Sequence, residues 1–428
     1  MKLKMASKIT YLHVIYAVVA CIELLVVHQF SDLKPSLGNW ESKALQILNL
    51  EIPDDNFYGP GSALMLIPFL WNGPSFYFGN IFYFFLGTFF YSKICTQIEG
   101  IRYQNICRFL LLLNPYLFWL ADSSQDTVFE YFLLMACVWF LINKSFYCFS
   151  IFGILLAMSR SQYWLFIIMV SLIFIFKSYK GNKKIKFKFL FPLLSFFAIT
   201  FFNVTNYDSP SPALEGGVTL ELAYSPYYYL GHPKFDIDYF LDGSQGPLLS
   251  SSKDAPTNLS AAELNTYYTK KALTDAYRFP QQTLMGLLQK IDSYIFTSQK
   301  VPNANGYFKL DSKNNVIVIE NERLSWPLVI GNLVYAATRG GIFLLFIFTL
   351  GLYLVSKRSK ELSEILPRSY GLLIIPWFTN LVVCSLVYTE TRFKLVGELL
   401  IVPFAVGIFL KFIEFLQKTP ALKNSIKK

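Results

Sequence analysis

The sequence predicts an all-α, polytopic membrane protein of about ten transmembrane helices, with both termini cytoplasmic and one large extracytoplasmic loop domain. Three observations carry that prediction. Of 428 residues, 54% are hydrophobic and only 15% charged, where a soluble domain carries about 25%. The apolar residues gather in runs long enough to cross about 30 Å of hydrocarbon. The lysines and arginines fall between those runs, mostly on one side of the predicted membrane.

Expected spans cover 10–28, 75–92, 105–121, 127–143, 146–159, 162–177, 188–203, 338–356, 369–388 and 393–414. The first follows a short basic end, as a signal peptide would. His28-Gln29-Phe30 is a poor cleavage site, so this run is expected to be retained. The run 62–72 is too short to span and reads as interfacial or re-entrant. With the N-terminus inside, the inner segments are 93–108, Lys144, 177–188, 357–368 and the tail. Together with the N-terminal and last-span lysines they hold 22 of the 38 Lys and Arg but 4 of the 28 Asp and Glu. Reversing the topology would put the 177–188 lysines outside, against the charge rule. A multi-pass protein of a bacterial inner membrane is expected, with its working face outside. The net charge of +10 is not gathered into an aromatic-laced basic face, so nucleic acid is not an expected partner.

Three regions follow. Residues 1–203 hold the first seven spans and the first outer loop, 29–74. Residues 204–337 form the extracytoplasmic segment, and 338–428 hold the last three spans and the basic tail. The outer segment opens on turn residues, Asp208-Ser209-Pro210-Ser211-Pro212, and has a Gly/Ser/Pro-rich middle at 242–260. A helical stretch is expected over Ala261–Lys300, and a β-hairpin over 306–320 with Asn314-Asn315 as its turn. The six cysteines lie in or beside apolar runs without a CxxC pair, so neither zinc nor a disulfide framework is indicated. The sequence names no cofactor and requires no metal, and it leaves the use of a divalent metal open.

Polar groups are costly in a bilayer, so those that persist tend to mark sites. Here they crowd the outer side. Glu23, His28, Asp32, Glu41, Asp54 and Asp55 lie at the end of the first span or in the loop after it. Asp122, Asp126 and Glu130 flank the start of the fourth span, the last two one helical turn apart. Arg160 sits at a turn between spans, and Glu390, Arg392, Lys394 and Glu398 open the last span. An ordinary reading exists for several. The aspartate pair is a solvated turn, Lys394 and Glu398 are spaced as a simple helix pair, and His232 in Gly231-His232-Pro233 is a loop residue. Arg160 and Arg392 break the charge rule at the outer boundary, and a fixed guanidinium suits phosphate.

In order along the chain, these features resemble the GT-C superfamily of polytopic glycosyltransferases, which use polyprenyl-phosphate sugars. The likeness is to protein mannosyltransferases and lipid A aminoarabinose transferases. Asn39-Trp40-Glu41-Ser42-Lys43-Ala44 and then Tyr58-Gly59-Pro60-Gly61 occupy the slot of the family's first outer loop. Asn114-Pro115-Tyr116 with Ser124-Gln125-Asp126-Thr127, Ala157-Met158-Ser159-Arg160, Arg278-Phe279-Pro280 with Leu288-Gln289-Lys290, and Thr389-Glu390-Thr391-Arg392-Phe393 are similar to later family patterns. Two departures stand out. The family's acidic pair is reduced to Glu41, and Phe393-Lys394-Leu395-Val396-Gly397-Glu398 follows Arg392 where prolines are usual.

The resemblance implies an inverting transfer to an extracytoplasmic acceptor. Glu41 or Asp32 would take the acceptor's proton, and Arg392, Arg160 and Lys290 would hold the donor phosphate. Asp126 and Glu390 would support them. The expected partners are a polyprenyl-phosphate-linked sugar and membrane lipid. Two other classes remain open on the residues alone. An O-antigen-type polymerase or ligase also pairs many spans with a large outer loop. A flippase or transporter would place polar residues and broken helices at mid-membrane.

Overall fold

The computed structural model describes residues 2–30, 38–53, 59–70, 75–99, 101–122, 126–182, 186–209, 211, 216–224, 259–297, 307–310, 316–319, 326–356, 370–387 and 391–418. Helices dominate. They are α1 (Lys2–Phe30), α2 (Gly38–Leu48), α3 (Gly61–Leu66), α4 (Ser75–Glu99), α5 (Ile101–Leu112), α6 (Pro115–Asp122), α7 (Thr127–Ile142), α8 (Phe146–Ser159), α9 (Trp164–Asn182) and α10 (Phe187–Tyr207). After α11 (Gly216–Tyr224), α12 (Ala261–Arg278) and α13 (Pro280–Phe296) come α14 (Trp326–Ser356), α15 (Tyr370–Leu386) and α16 (Thr391–Lys418). Strands β1 (Tyr307–Leu310) and β2 (Val316–Ile319) pair antiparallel, Tyr307 opposite Ile319. The hairpin is where the sequence placed it, and its turn lies outside the described residues.

Four helices are long and apolar enough to cross a membrane: Ser161–Gly181, Phe187–Tyr207, Val329–Ser356 and Lys394–Gln417. Pro115–Asp122 and Thr127–Ile142 would together make a fifth, though their axes differ by 117°. Val14–Gln29, Phe146–Ser159 and Tyr370–Leu386 are apolar but shorter. The chain is therefore a helical protein with several membrane-length helices. Every run expected to span is helical, but the run 105–121 is two helices. Pro115 cannot donate to a continuing ladder, so α5 stops and Asn114 restarts the chain as α6, its Oδ1 accepting from the Leu117 N–H at 3.3 Å.

At the centre stands α7, buried over Thr127–Val138 on every face, as befits a helix apolar all round except for Thr127 and Glu130. It packs against α4 and α8. Tyr83 meets Phe129 at 5.3 Å and Phe90 meets Trp139 at 5.5 Å between ring centroids. The outside of the bundle is apolar as well. Leu25, Phe78, Phe176, Phe197, Phe201 and Leu344 are each about two-thirds exposed, an arrangement that water would oppose and lipid would not. Hydroxyls within the spans bond their own i−4 carbonyls, as Ser150, Ser195, Thr349 and Ser385 do.

The two ends of the bundle differ. At one end Gln97 and Asn143 exchange amide hydrogen bonds of 2.9 Å, joining the ends of α4 and α7. There Lys188 sits 5.0 Å over Phe146 and Lys177 lies 5.5 Å from Phe174. The other end gathers the acids, the first loop and α11–α13. Helix α10 stops there, where Asp208 turns left-handed (φ 52°). The expected stretch Ala261–Lys300 is divided at Phe279, because Pro280 opens α13 at its first position. Ser260 and Glu263 cap the start of α12 reciprocally. Helix α14 begins at Trp326, well before the expected boundary at 338.

Candidate functional site

Arg160 interrupts the chain between α8 and a 3-10 turn, Ser161–Tyr163, with extended backbone (φ −144°, ψ 106°). Its side chain points back under the first turn of α7. Nη2 lies 2.6 Å from Asp126 Oδ1, and Nε lies 3.8 Å from Glu130 Oε2. Tyr163 donates its hydroxyl to the other Glu130 oxygen. Both carboxylates are buried. The one-turn spacing of Asp126 and Glu130 thus puts two acids on one guanidinium. With both ionised the trio carries one excess negative charge, so a phosphate at Arg160 would have to displace Asp126. The arrangement favours accepting a proton or a hydroxyl over binding a bare anion.

The first loop forms a roof beside this cluster. Gly59 and Gly61 lie against the end of α8, where a Cβ on either would overlap the backbone of Met158 or Ser159. Only glycine permits that approach. Tyr207 at the end of α10 donates to Pro53 O at 2.7 Å and holds the loop from the other side. Glu41 is exposed on the first turn of α2, which packs on α3. Among the described residues it makes no ion pair with the Arg160 cluster. Asp32 and Glu390 lie outside the described residues. Next to the roof, His28 at the end of α1 meets Asp122 at 3.0 Å, and Asn80 donates to the carbonyls of Leu120 and Ala121 at 3.3 and 3.2 Å.

A second polar group sits where α13, α14 and α16 meet. Arg339 of α14 forks onto Glu398 of α16, Nε to Oε2 at 3.0 Å with Nη2 on Oε1. The same guanidinium donates to the carbonyls of Tyr294, Ile295 and Phe296 at 3.4, 2.9 and 3.3 Å. Lys394 donates to Ser293 O at 2.5 Å and to Thr297 O. Two cations thus satisfy the orphan carbonyls at the end of α13, where the helix dipole is negative. The spacing of Lys394 and Glu398 invited an i, i+4 pair; tertiary packing gives each another partner. Arg392 lies in the first turn of α16, two residues before Lys394; its side chain lies outside the described set. Arg339 and Glu398 also line a cavity with Tyr91, Asn114, Thr338 and Phe343.

Lys290 on α13 is buried. Its ammonium donates to Ala223 O of α11 and Val387 O beyond α15, each at 3.4 Å, and sits 4.8 Å over the Tyr224 ring. These contacts tie the ends of α11 and α15 to the middle of α13. Burial lowers the Lys290 pKa to about 8 from an ordinary 10.5. The folded form therefore sheds this proton at lower pH than the unfolded form. The contribution of this group to stability is most favourable above 10.5, falls as pH drops toward 8, and carries the full cost of the buried charge below that. Lys290→Met should remove about 3 kcal/mol of this pH dependence. Unfolding midpoints of both proteins at several pH values across that window test it, and parallel curves would refute the assignment. Between α11 and α12, Lys271 pairs with buried Glu221 at 3.0 Å, whose pKa burial raises despite that partner.

The structure thus brings Asp126 and Arg160 together, adds Glu130 and Tyr163, and sets Lys290 among backbone carbonyls. Sequence reasoning passed over Arg339, although a lone arginine in a long apolar helix is a signal for a buried partner. Among the described residues no group of three His, Cys, Asp or Glu side chains is placed to hold a metal ion. Comparison with known proteins finds no matching family model, no matching curated relative and no matching solved structure.

Proposed function

We propose that this chain is a membrane glycosyltransferase of GT-C type. It moves a sugar with inversion from a polyprenyl-phosphate donor to an extracytoplasmic acceptor, on a scaffold of about ten spans in a bacterial inner membrane. The observation that carries the proposal is the buried group Asp126, Glu130, Arg160 and Tyr163 beneath the first loop, at the end of the bundle that also receives α11–α13. A carboxylate there, or Glu41 or Asp32 in the loop above, takes the acceptor's proton as its oxygen bonds to the sugar C1. The C1–O bond to phosphate breaks, and polyprenyl phosphate departs with the electron pair. Arg392 holds the departing phosphate, while Arg160 holds the acids in place. Lys290 keeps the outer helices seated around the site.

A second reading has one observation in its favour. The helix break at Leu113-Asn114 and the cavity between Asn114, Tyr91, Arg339 and Glu398 are what a lipid-linked sugar flippase would use. One assay separates the two. Purified protein in nanodiscs, given polyprenyl-phosphate sugars, should release polyprenyl phosphate. Glu41→Gln or Asp32→Asn should reduce that release at least 100-fold (roughly, for loss of a general base) if either is the base. No release from any donor tested, with donor moving across the bilayer of liposomes, would replace the transferase reading by the second.

A further inference from the structure

Helix α13 is built inside-out. The side facing the protein carries Gly286, Lys290, Ser293 and Tyr294, so an ammonium and a hydroxyl point inward. The outward arc carries Leu284, Met285, Leu288 and Phe296, exposed by 56, 53, 52 and 67%. A helix at a water surface has the reverse pattern. The outward apolar area is unfavourable in water by about 25 cal/mol per Å².

Two further observations identify what covers it. First, α13 is fastened at its C-terminus to α14 and α16, both long and apolar enough to cross a membrane, through Arg339 and Lys394. Phe296 packs on Phe343 of α14 at 6.2 Å, and α14 itself exposes Leu333, Val334 and Leu344. The apolar surface of the span therefore continues onto α13. Second, the residues leading into α13 are those of a membrane boundary. Tyr277 is 88% exposed, Phe279 is exposed beside it, and Lys270 and Arg278 are exposed on α12. Gln281 and Asp292 are exposed on the same outward arc, one toward each end of α13, and there they meet headgroups rather than acyl chains.

We infer that α13 lies in the outer headgroup–acyl boundary of the bilayer, with Leu284, Met285 and Leu288 on lipid chains and Lys270 and Arg278 at the level of lipid phosphates. The region read from sequence as an extracytoplasmic loop domain is then partly immersed. This needs only that α14 and α16 cross the membrane, and it stands whether or not the protein transfers sugar.

The test uses the full chain in nanodiscs of zwitterionic and anionic lipid. Nitroxide labels are placed on single cysteines at Leu284, Leu288 and, as a control, Glu263, after Cys21 and Cys148 are changed to serine. Relaxation by oxygen should exceed relaxation by a water-soluble nickel chelate severalfold at 284 and 288, with the order reversed at 263. Leu288→Trp, read by brominated-lipid quenching, gives an independent measure if a labelled variant folds poorly; quenching should be strong. Nickel access at 288 equal to that at 263 would overturn the inference in favour of open water. Exclusion of both relaxers, with no quenching, would overturn it in favour of protein cover, by residues 225–258 or a second copy.

Discussion

Replacing Arg339 with methionine is expected to destabilise the protein by about 3–5 kcal/mol, because the change leaves Glu398 buried without its cation. Both side chains of this pair are about 10% exposed, so solvent cannot take over. Glu398→Met should cost a similar amount for the mirror reason. The double variant should recover most of the loss, since an apolar pair of similar volume removes both desolvation penalties. It should remain about 1–2 kcal/mol below the parent, because the carbonyls of Tyr294, Ile295 and Phe296 lose their donor. Thermal unfolding in nanodiscs followed by tryptophan fluorescence gives the measurement, with Trp377 beside Tyr294 as a local reporter. An Arg339→Met protein as stable as the parent would show that the pair does not hold α13, α14 and α16 together.

The second large effect concerns activity. Arg160→Ala should lower turnover of a polyprenyl-phosphate donor by about 100–1,000-fold, the scale seen when a preorganised charged group is removed from a reacting site. Arg160→Lys should restore part of it, since an ammonium can reach Asp126 but cannot fork toward Glu130. Arg160 holds acids in this reading, so Arg160→Ala should lower kcat with little change in the donor KM. A phosphate ligand would instead raise the donor KM. Equal turnover in Arg160→Ala and the parent would remove this cluster from the mechanism.

Much of this site was legible because its parts are local. Asp126 and Glu130 are one turn apart, and that spacing alone puts them on a common face. Arg160 stood out because an arginine at the outer boundary violates the charge bias of the chain. What joined them was not local: residues 126 and 160 meet only because α7 and α8 pack side by side. The opposite happened at the last span. Lys394 and Glu398 have the spacing of a helix pair, but Lys394 faces the end of α13 and Glu398 faces Arg339. Arg339 and Glu398 are separated by 59 residues, and no periodicity links them.

The boundaries show the same division. Pro280 and Pro115 each open a helix, because a fixed φ and a missing N–H act within one turn. The apolar face of α13 was present in the sequence as well, but which way it points was not. A pattern of Leu284, Met285 and Leu288 opposite Lys290 fits a helix buried by its leucines or one buried by its lysine.

By itself the sequence determined that this chain is helical and belongs in a membrane, and which runs form its helices. Those outcomes depend on composition and on interactions within a turn or two. Tertiary structure alone decided that Arg160 meets Asp126 and Glu130, that Arg339 meets Glu398, and that α13 turns its leucines outward. Each rests on burial, since a charge or an apolar face is stable only with respect to what packs against it, and that partner lies far away along the chain.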